Sequence, residues 1–189
     1  MYLFFDTETT GLPKRWDAPV SKVDNWPRLV QLAWSLHEEN GDLVEEGDLI
    51  VRPEGFTIPK SSTQIHGISQ KQAMEEGSEL KSVLERFAEA VEKATLVIGH
   101  NVSFDESVVG AEYIRTGVPH QLWHRERMCT KLETTDYCAI PGKYGYKWPT
   151  LEELHLKVFG KGIEGAHNAM VDVQATANCF FELRKIGVV

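Results

Sequence analysis

Two carboxylates, Asp6 and Glu8, stand two residues apart where the apolar run YLFF ends. Side chains at i and i+2 of a strand point to one face, so the pair can share a hard cation, which prefers carboxylate oxygens. Alone the motif is weak in a chain with 28 Asp and Glu residues. Two further segments supply groups of the same kind. HNVSFD, residues 100–105, leads from a strand end into a helix with Asp105 in its first turn. HNAMVD, residues 167–172, opens the last helix, with Asp172 projecting from it and His167 just before it. Each has a plain structural alternative, since an acid in a first turn favourably meets the helix dipole and a histidine ahead of a helix is commonly a surface residue. The combination carries the weight: four carboxylates and one imidazole, a group that titrates near neutral pH and can accept a proton during a reaction.

The elements that must position these groups are legible in the hydropathy pattern. YLFF reads as a buried central strand, and Gly11 lets the chain turn tightly beyond it. Residues 28–37 and 43–51 flank ENGD, a hairpin signal that gives three antiparallel strands in all. Leu80, Val83, Leu84, Phe87 and Val91 recur at helical spacing and predict a helix over 79–93. TLVIGH, 95–100, is a buried strand. The next helix, capped by Asn101 or Ser103, carries Phe104, Val108, Ala111 and Ile114 on one face and stops near Gly117 and Pro119. A short strand at 128–130 and a loop over 141–149 follow. Helices over 150–159 and 168–186 close the chain, the latter burying Ala169, Val173, Thr176, Phe180 and Leu183. A strand meander followed by alternating helices and strands implies an α/β mixed sheet flanked by helices. No repeat or linker divides the chain, so residues 1–189 are expected to form one domain.

Composition narrows the partners. A net charge of −8 argues against a protein that holds nucleic acid by broad attraction to phosphates. Any polyanion must be gripped locally, and cations on the carboxylates would turn that site from negative towards neutral. No apolar stretch approaches the roughly 20 residues of a membrane helix, and no leader is recognisable, so a cytoplasmic protein with no membrane partner is expected. Three cysteines at non-ligand spacings read as buried thiols rather than a zinc site. No GxxxxGK[ST] loop supports a nucleotide kinase. KYGYKW, residues 143–148, alternates basic and aromatic residues as single-strand binding surfaces do, although it also reads as a plain solvated loop.

In this order, the three acidic motifs resemble those of the DEDDh 3′-5′ exonucleases, a branch of the ribonuclease H-like fold. DTETTGL (6–12) is similar to the first motif, HNVSFD to the second and HNAMVD to the third. IHGI (65–68) resembles a secondary motif of bacterial proofreading exonucleases. The five-residue step from His167 to Asp172 marks the histidine branch. Within the family the pattern is most like the proofreading epsilon subunits of DNA polymerase III, and ribonuclease T and oligoribonuclease share it. The resemblance implies a ribonuclease H-like mixed five-stranded sheet, three antiparallel strands plus parallel ones, flanked by helices. It implies two divalent cations, Mg²⁺ with Mn²⁺ as substitute, about 4 Å apart. Asp6 would bridge both, Glu8 and Asp172 would hold the one serving the attacking water, Asp105 would support the second, and His167 would be the general base. Thr7, Thr9, Leu12, His66 and Phe104 would contact substrate, with core packing an equal alternative for Leu12 and Phe104, and capping of the helix near Ser69 an alternative for His66. The implied activity is release of nucleoside 5′-monophosphates from single-stranded or frayed 3′ ends, with a DNA polymerase as partner. An exoribonuclease is the alternative, since these motifs do not report on a 2′-hydroxyl. A catalytically silent polymerase-associated module is disfavoured by the intact set of five residues. With no obvious tethering segment after the last helix, a dedicated proofreading-subunit role is weakened and a freestanding repair or processing enzyme is a compatible expectation; oligomeric state is open.

Overall fold

The computed structural model describes all 189 residues. Five strands form one sheet in the order β3-β2-β1-β4-β5: β1 Tyr2–Thr9, β2 Leu29–His37, β3 Leu43–Ile50, β4 Leu96–Gly99 and β5 Glu126–Cys129. β1–β2 and β2–β3 are antiparallel, while β1–β4 and β4–β5 are parallel. This is the mixed sheet expected from the meander and the strand–helix alternation.

β1 is buried on both faces because its residues alternate into two different helical layers. Leu3 and Phe5 pack with Val83, Leu84 and Phe87 of α3 (Leu80–Lys93) and Val108 and Val109 of α4 (Val102–Thr116). Phe4 packs the other way, with Ala33, Ile98, and Val173, Ala177 and Phe180 of α8 (Ala169–Lys185). Leu3, Phe4 and Phe5 are each at most 1% exposed, and burying a side chain of this size stabilises the fold by about 1.5–3 kcal/mol. On β2 the indole of Trp34 lies across Gly47, its register partner, so closely that no side chain fits there. Behind α8 stands α7 (Leu151–Phe159), started by a capping box in which Thr150 and Glu153 satisfy each other's backbone N–H groups.

Four short helices lie outside the strongly periodic segments: α1 (Lys60–His66), α2 (Gln70–Glu76), α5 (Thr130–Glu133) and α6 (Thr135–Cys138). Ser69, not His66, caps α2, its hydroxyl accepting from Gln72 N. The expected loop over 141–149 contains a small hairpin, β6 (Pro141–Gly142) with β7 (Gly145–Tyr146). Ile114 is 43% exposed rather than buried. The inner stripe of α4 runs through Val102, Asp105, Val108, Val109, Glu112 and Tyr113, which rotates Ile114 out. Asn101 occupies the α4 cap position in a left-handed conformation with no side-chain cap bond. Cys138 and Cys179 are buried thiols and Cys129 is half-buried. No helix is long and apolar enough to cross a membrane.

Candidate active site

The register of β1 creates the site. β4 pairs only with Tyr2–Phe4, so Asp6 to Thr9 run on past the end of their parallel neighbour, on the side where open α/β sheets place ligands. From the same edge β4 turns through His100 and Asn101 into α4, which brings Asp105 alongside. α8 begins across the opposite face. One oxygen each from Asp6, Glu8 and Asp172 lies within 4.8 Å of the others, as the alternation along β1 requires.

Asp105 is oriented by its neighbour on β1. The Thr7 hydroxyl and backbone N–H both donate to Asp105 Oδ1, at 2.6 and 3.0 Å. α4 itself is fixed by Glu112, fully buried, which accepts from Arg28 Nε at 2.8 Å and from Leu29 N at 3.1 Å at the start of β2. At the other helix, Asn168 caps α8 by accepting from Met170 N and Val171 N. The His167 N–H donates to Asp172 Oδ2 at 3.2 Å. His167 has φ +67°, a conformation L residues rarely adopt, and its side chain is exposed beside Asp172.

The electrostatics are those of four acids forced together out of water. Burial first, then repulsion from Asp105, Asp172 and Glu8, raises Asp6 well above the usual carboxylate range. Burial followed by Asp172 and Asp105 pushes Glu8 to about 8. Burial lifts Asp105 to about 7, against the Thr7 hydrogen bonds, and raises Asp172, against its bond from His167. Each unit of such a shift means about 1.4 kcal/mol against ionisation. A proton or a cation is needed to relieve it, and an all-oxygen donor set suits a hard divalent ion.

The remaining sequence-derived residues divide by exposure. Leu12 is 72% exposed, so it is not core. It follows Gly11, whose φ of +143° suits glycine. Phe104 is half-buried, its ring centroid 5.8 Å from that of Trp16. Thr7 and Thr9 point inward; the Thr9 hydroxyl donates to Gly11 O at 2.7 Å and so shapes the turn. His66 is buried, its Nδ1 accepting from Ile68 N, which leaves the proton on Nε2, buried near the Thr9 backbone without a formed hydrogen bond. Burial holds this ring below its ordinary pKa.

Two positioning residues escaped the sequence reading. Gln31, opposite Glu8 in register, donates to Asp48 Oδ1 at 2.6 Å and accepts from Ala169 N at 3.3 Å, pinning the start of α8 to β2. A lone amide inside the apolar run RLVQLAWSLH was the available signal. His100 bridges the end of β4 to Thr130 Oγ1 and Pro149 O, each at 3.0 Å, and burial lowers its pKa to about 4.

A mixed sheet with an acidic cluster at the end of its first strand defines a ribonuclease H-like, nuclease-type site. The RNase T exonuclease family matches residues 3–180, and the chain belongs to this family of 3′-5′ exonucleases, whose members use divalent metals. It is 27% identical over 184 residues to the PolC-type DNA polymerase III of Pediococcus pentosaceus, covering 97% of this chain and 11% of that protein. The Streptococcus thermophilus PolC-type enzyme is 32% identical over 183 residues, 95% of this chain and 11% of that one. The chain thus spans about a tenth of the length of these relatives. Exonuclease I of E. coli, solved with a dA16 oligonucleotide, superposes with a TM-score of 0.76 at 22% identity, over 97% of this chain and 40% of that one. Exonuclease I of Methylocaldum szegediense gives 0.75 at 24% identity, with the same coverage. These structures establish the fold.

Proposed function

We propose that this protein removes nucleotides one at a time from 3′ ends of DNA, single-stranded or frayed, releasing nucleoside 5′-monophosphates. The observation that carries this reading is the convergence of Asp6, Glu8 and Asp172 within 4.8 Å, with Asp105 oriented beside them by Thr7. Asp6, Glu8 and Asp172 would hold Mg²⁺, or Mn²⁺ in its place, and Asp105 would support a second ion. Two such cations supply charge neutralisation at the scissile phosphate and lower the pKa of a water. The exposed His167 ring, beside Asp172, takes the proton from the attacking water, a contribution of about 10²–10⁴ in rate. Its unusual φ fits a residue held where reaction needs it.

Leu12 and Phe104 flank the last base, the Thr9–Gly11 turn shapes its cradle, and the Nε2 proton of His66 offers a buried donor behind it. DNA is favoured over RNA because the PolC-type relatives are DNA polymerases and the Exonuclease I structure holds dA16. In the PolC-type relatives the matching segment is about a tenth of the polymerase chain itself, which supports action beside a polymerase over the freestanding alternative.

The test compares 5′-labelled single-stranded DNA, mismatched duplex and RNA in Mg²⁺, Mn²⁺ and chelator. We expect chelator-sensitive shortening from the 3′ end, fastest on single-stranded DNA. No such shortening on any substrate would refute the proposal; faster cleavage of RNA would move the substrate class.

A further inference from the structure

We propose that a 690 Å³ cavity between Trp16 and Trp148 is a second nucleotide subsite, which stacks an unpaired base upstream of the terminal nucleotide. The inference rests on the exonuclease reading and adds what makes the strand's length and single-strandedness matter. The volume falls within the roughly 300–1,000 Å³ of small-ligand sites.

Its position comes first. The opening turn of α4, residues 101–103, forms part of the wall, two residues from Asp105. Phe104 touches Trp16, with ring planes 48° apart. A strand leaving the carboxylates past Phe104 therefore meets Trp16 next. Trp16 is 61% and Trp148 62% exposed, although large indoles are usually mostly buried. Two of them bordering one cavity, with Leu132 between polar neighbours, form an apolar concavity that core packing does not explain.

The charges fit the same occupant. Lys131 donates to Asn101 Oδ1 at 2.6 Å and lies 4.8 Å from the Trp148 ring centroid. Arg127 pairs with Glu106 at 2.7 Å. Each keeps further N–H donors for a phosphate, and Glu133 is the one acid in the lining. Aromatic faces for bases beside cations for the backbone are what a single strand needs. A paired base cannot stack this way, so a duplex must fray before it engages. His100 and the Pro149 carbonyl anchor the loop that presents Trp148, and Tyr144 and Tyr146 stand exposed just before it in sequence. The cavity thus absorbs the end of the KYGYKW motif.

Steady-state kinetics on the p-nitrophenyl ester of thymidine 5′-monophosphate, which carries no base upstream of the terminal nucleotide, and on an oligo-dT of about ten nucleotides test this. Wild type should use the oligo-dT better through a lower KM. Trp148→Ala should cut kcat/KM on the oligo-dT about tenfold, again through KM, so that its advantage over the ester collapses. Trp148→Phe should restore most of it. An unchanged advantage of the oligo-dT in Trp148→Ala, or an equal loss on both substrates, would overturn the proposal. If wild type cleaved neither substrate, the exonuclease reading would have failed, and binding then decides on the cavity alone. Saturable quenching of tryptophan fluorescence by oligo-dT, lost in Trp148→Ala, would support the subsite. Equal quenching of both proteins would refute it, as would none.

Discussion

Raising the pH of the chelator-treated protein from 6.5 to 8 should destabilise it, and Glu8 should be a principal cause. The folded protein holds the Glu8 proton up to about pH 8, whereas the ordinary value is 4.5. A group raised on folding stabilises fully below its unfolded pKa and loses that contribution as pH rises through its folded pKa. Asp105, raised to about 7, acts in the same direction over the lower part of the range. The buried histidines work oppositely, since His66, His100 and His120 are lowered below 6.5 and gain stability as pH rises to that value. At pH 6.5 the unfolded imidazoles are still half protonated, so they offset part of the carboxylate loss up to about pH 7.5 and little beyond it. At about 1.4 kcal/mol per pH unit, and allowing for partial ionisation near pH 8, Glu8 alone accounts for about 1.5 kcal/mol. For a chain of this size that is a fall in Tm of about 3–6 °C. Thermal melts of wild type and Glu8→Gln across this range measure it. The variant should show a visibly shallower decline, and saturating Mg²⁺ should flatten or reverse the wild-type slope, because the ion replaces protons. A wild-type stability that rises with pH in chelator, or a Glu8→Gln slope equal to wild type, would refute the reasoning.

Other substitutions separate the roles within the site. His167→Ala should lower turnover about 10²–10⁴-fold with Mn²⁺ affinity nearly intact, because the backbone N–H that holds Asp172 remains. Asp172→Ala should damage both, as read by calorimetric titration and initial rates. Thr7→Val removes the 2.6 Å hydroxyl bond to Asp105 and keeps the N–H bond. A hydrogen bond to a charged group contributes about 1.5–3 kcal/mol, so activity should fall more than tenfold with the fold intact, and Thr7→Ser should recover it.

The acidic cluster was legible because its geometry is local. Asp6 and Glu8 share a face by strand alternation, and Asp172 follows from a helix start that Asn168 caps in the ordinary way. The sheet was legible for the same reason: YLFF, the hairpin around ENGD and TLVIGH are strong short-range patterns. What the sequence hid depends on contacts distant along the chain. Gln31 looks like a stray polar residue until α8 folds back onto β2, and the bond of Thr7 to Asp105 forms only when α4 delivers that carboxylate to it. The Asn101 cap position was found but its conformation was not, since the left-handed backbone leaves the side chain free for Lys131. Trp16 and Trp148 lie 132 residues apart, and only the fold sets them around one cavity.

Cation-dependent chemistry at the end of β1 is the central claim. Single-nucleotide resolution of a 5′-labelled oligo-dT, incubated in Mg²⁺ with wild type or with Asp6→Asn and again in chelator, tests it most directly. The expected result is a ladder that shortens one nucleotide at a time from the 3′ end, seen only with wild type in Mg²⁺. A ladder that persists in chelator or with Asp6→Asn, or shortening from the 5′ end, would contradict it.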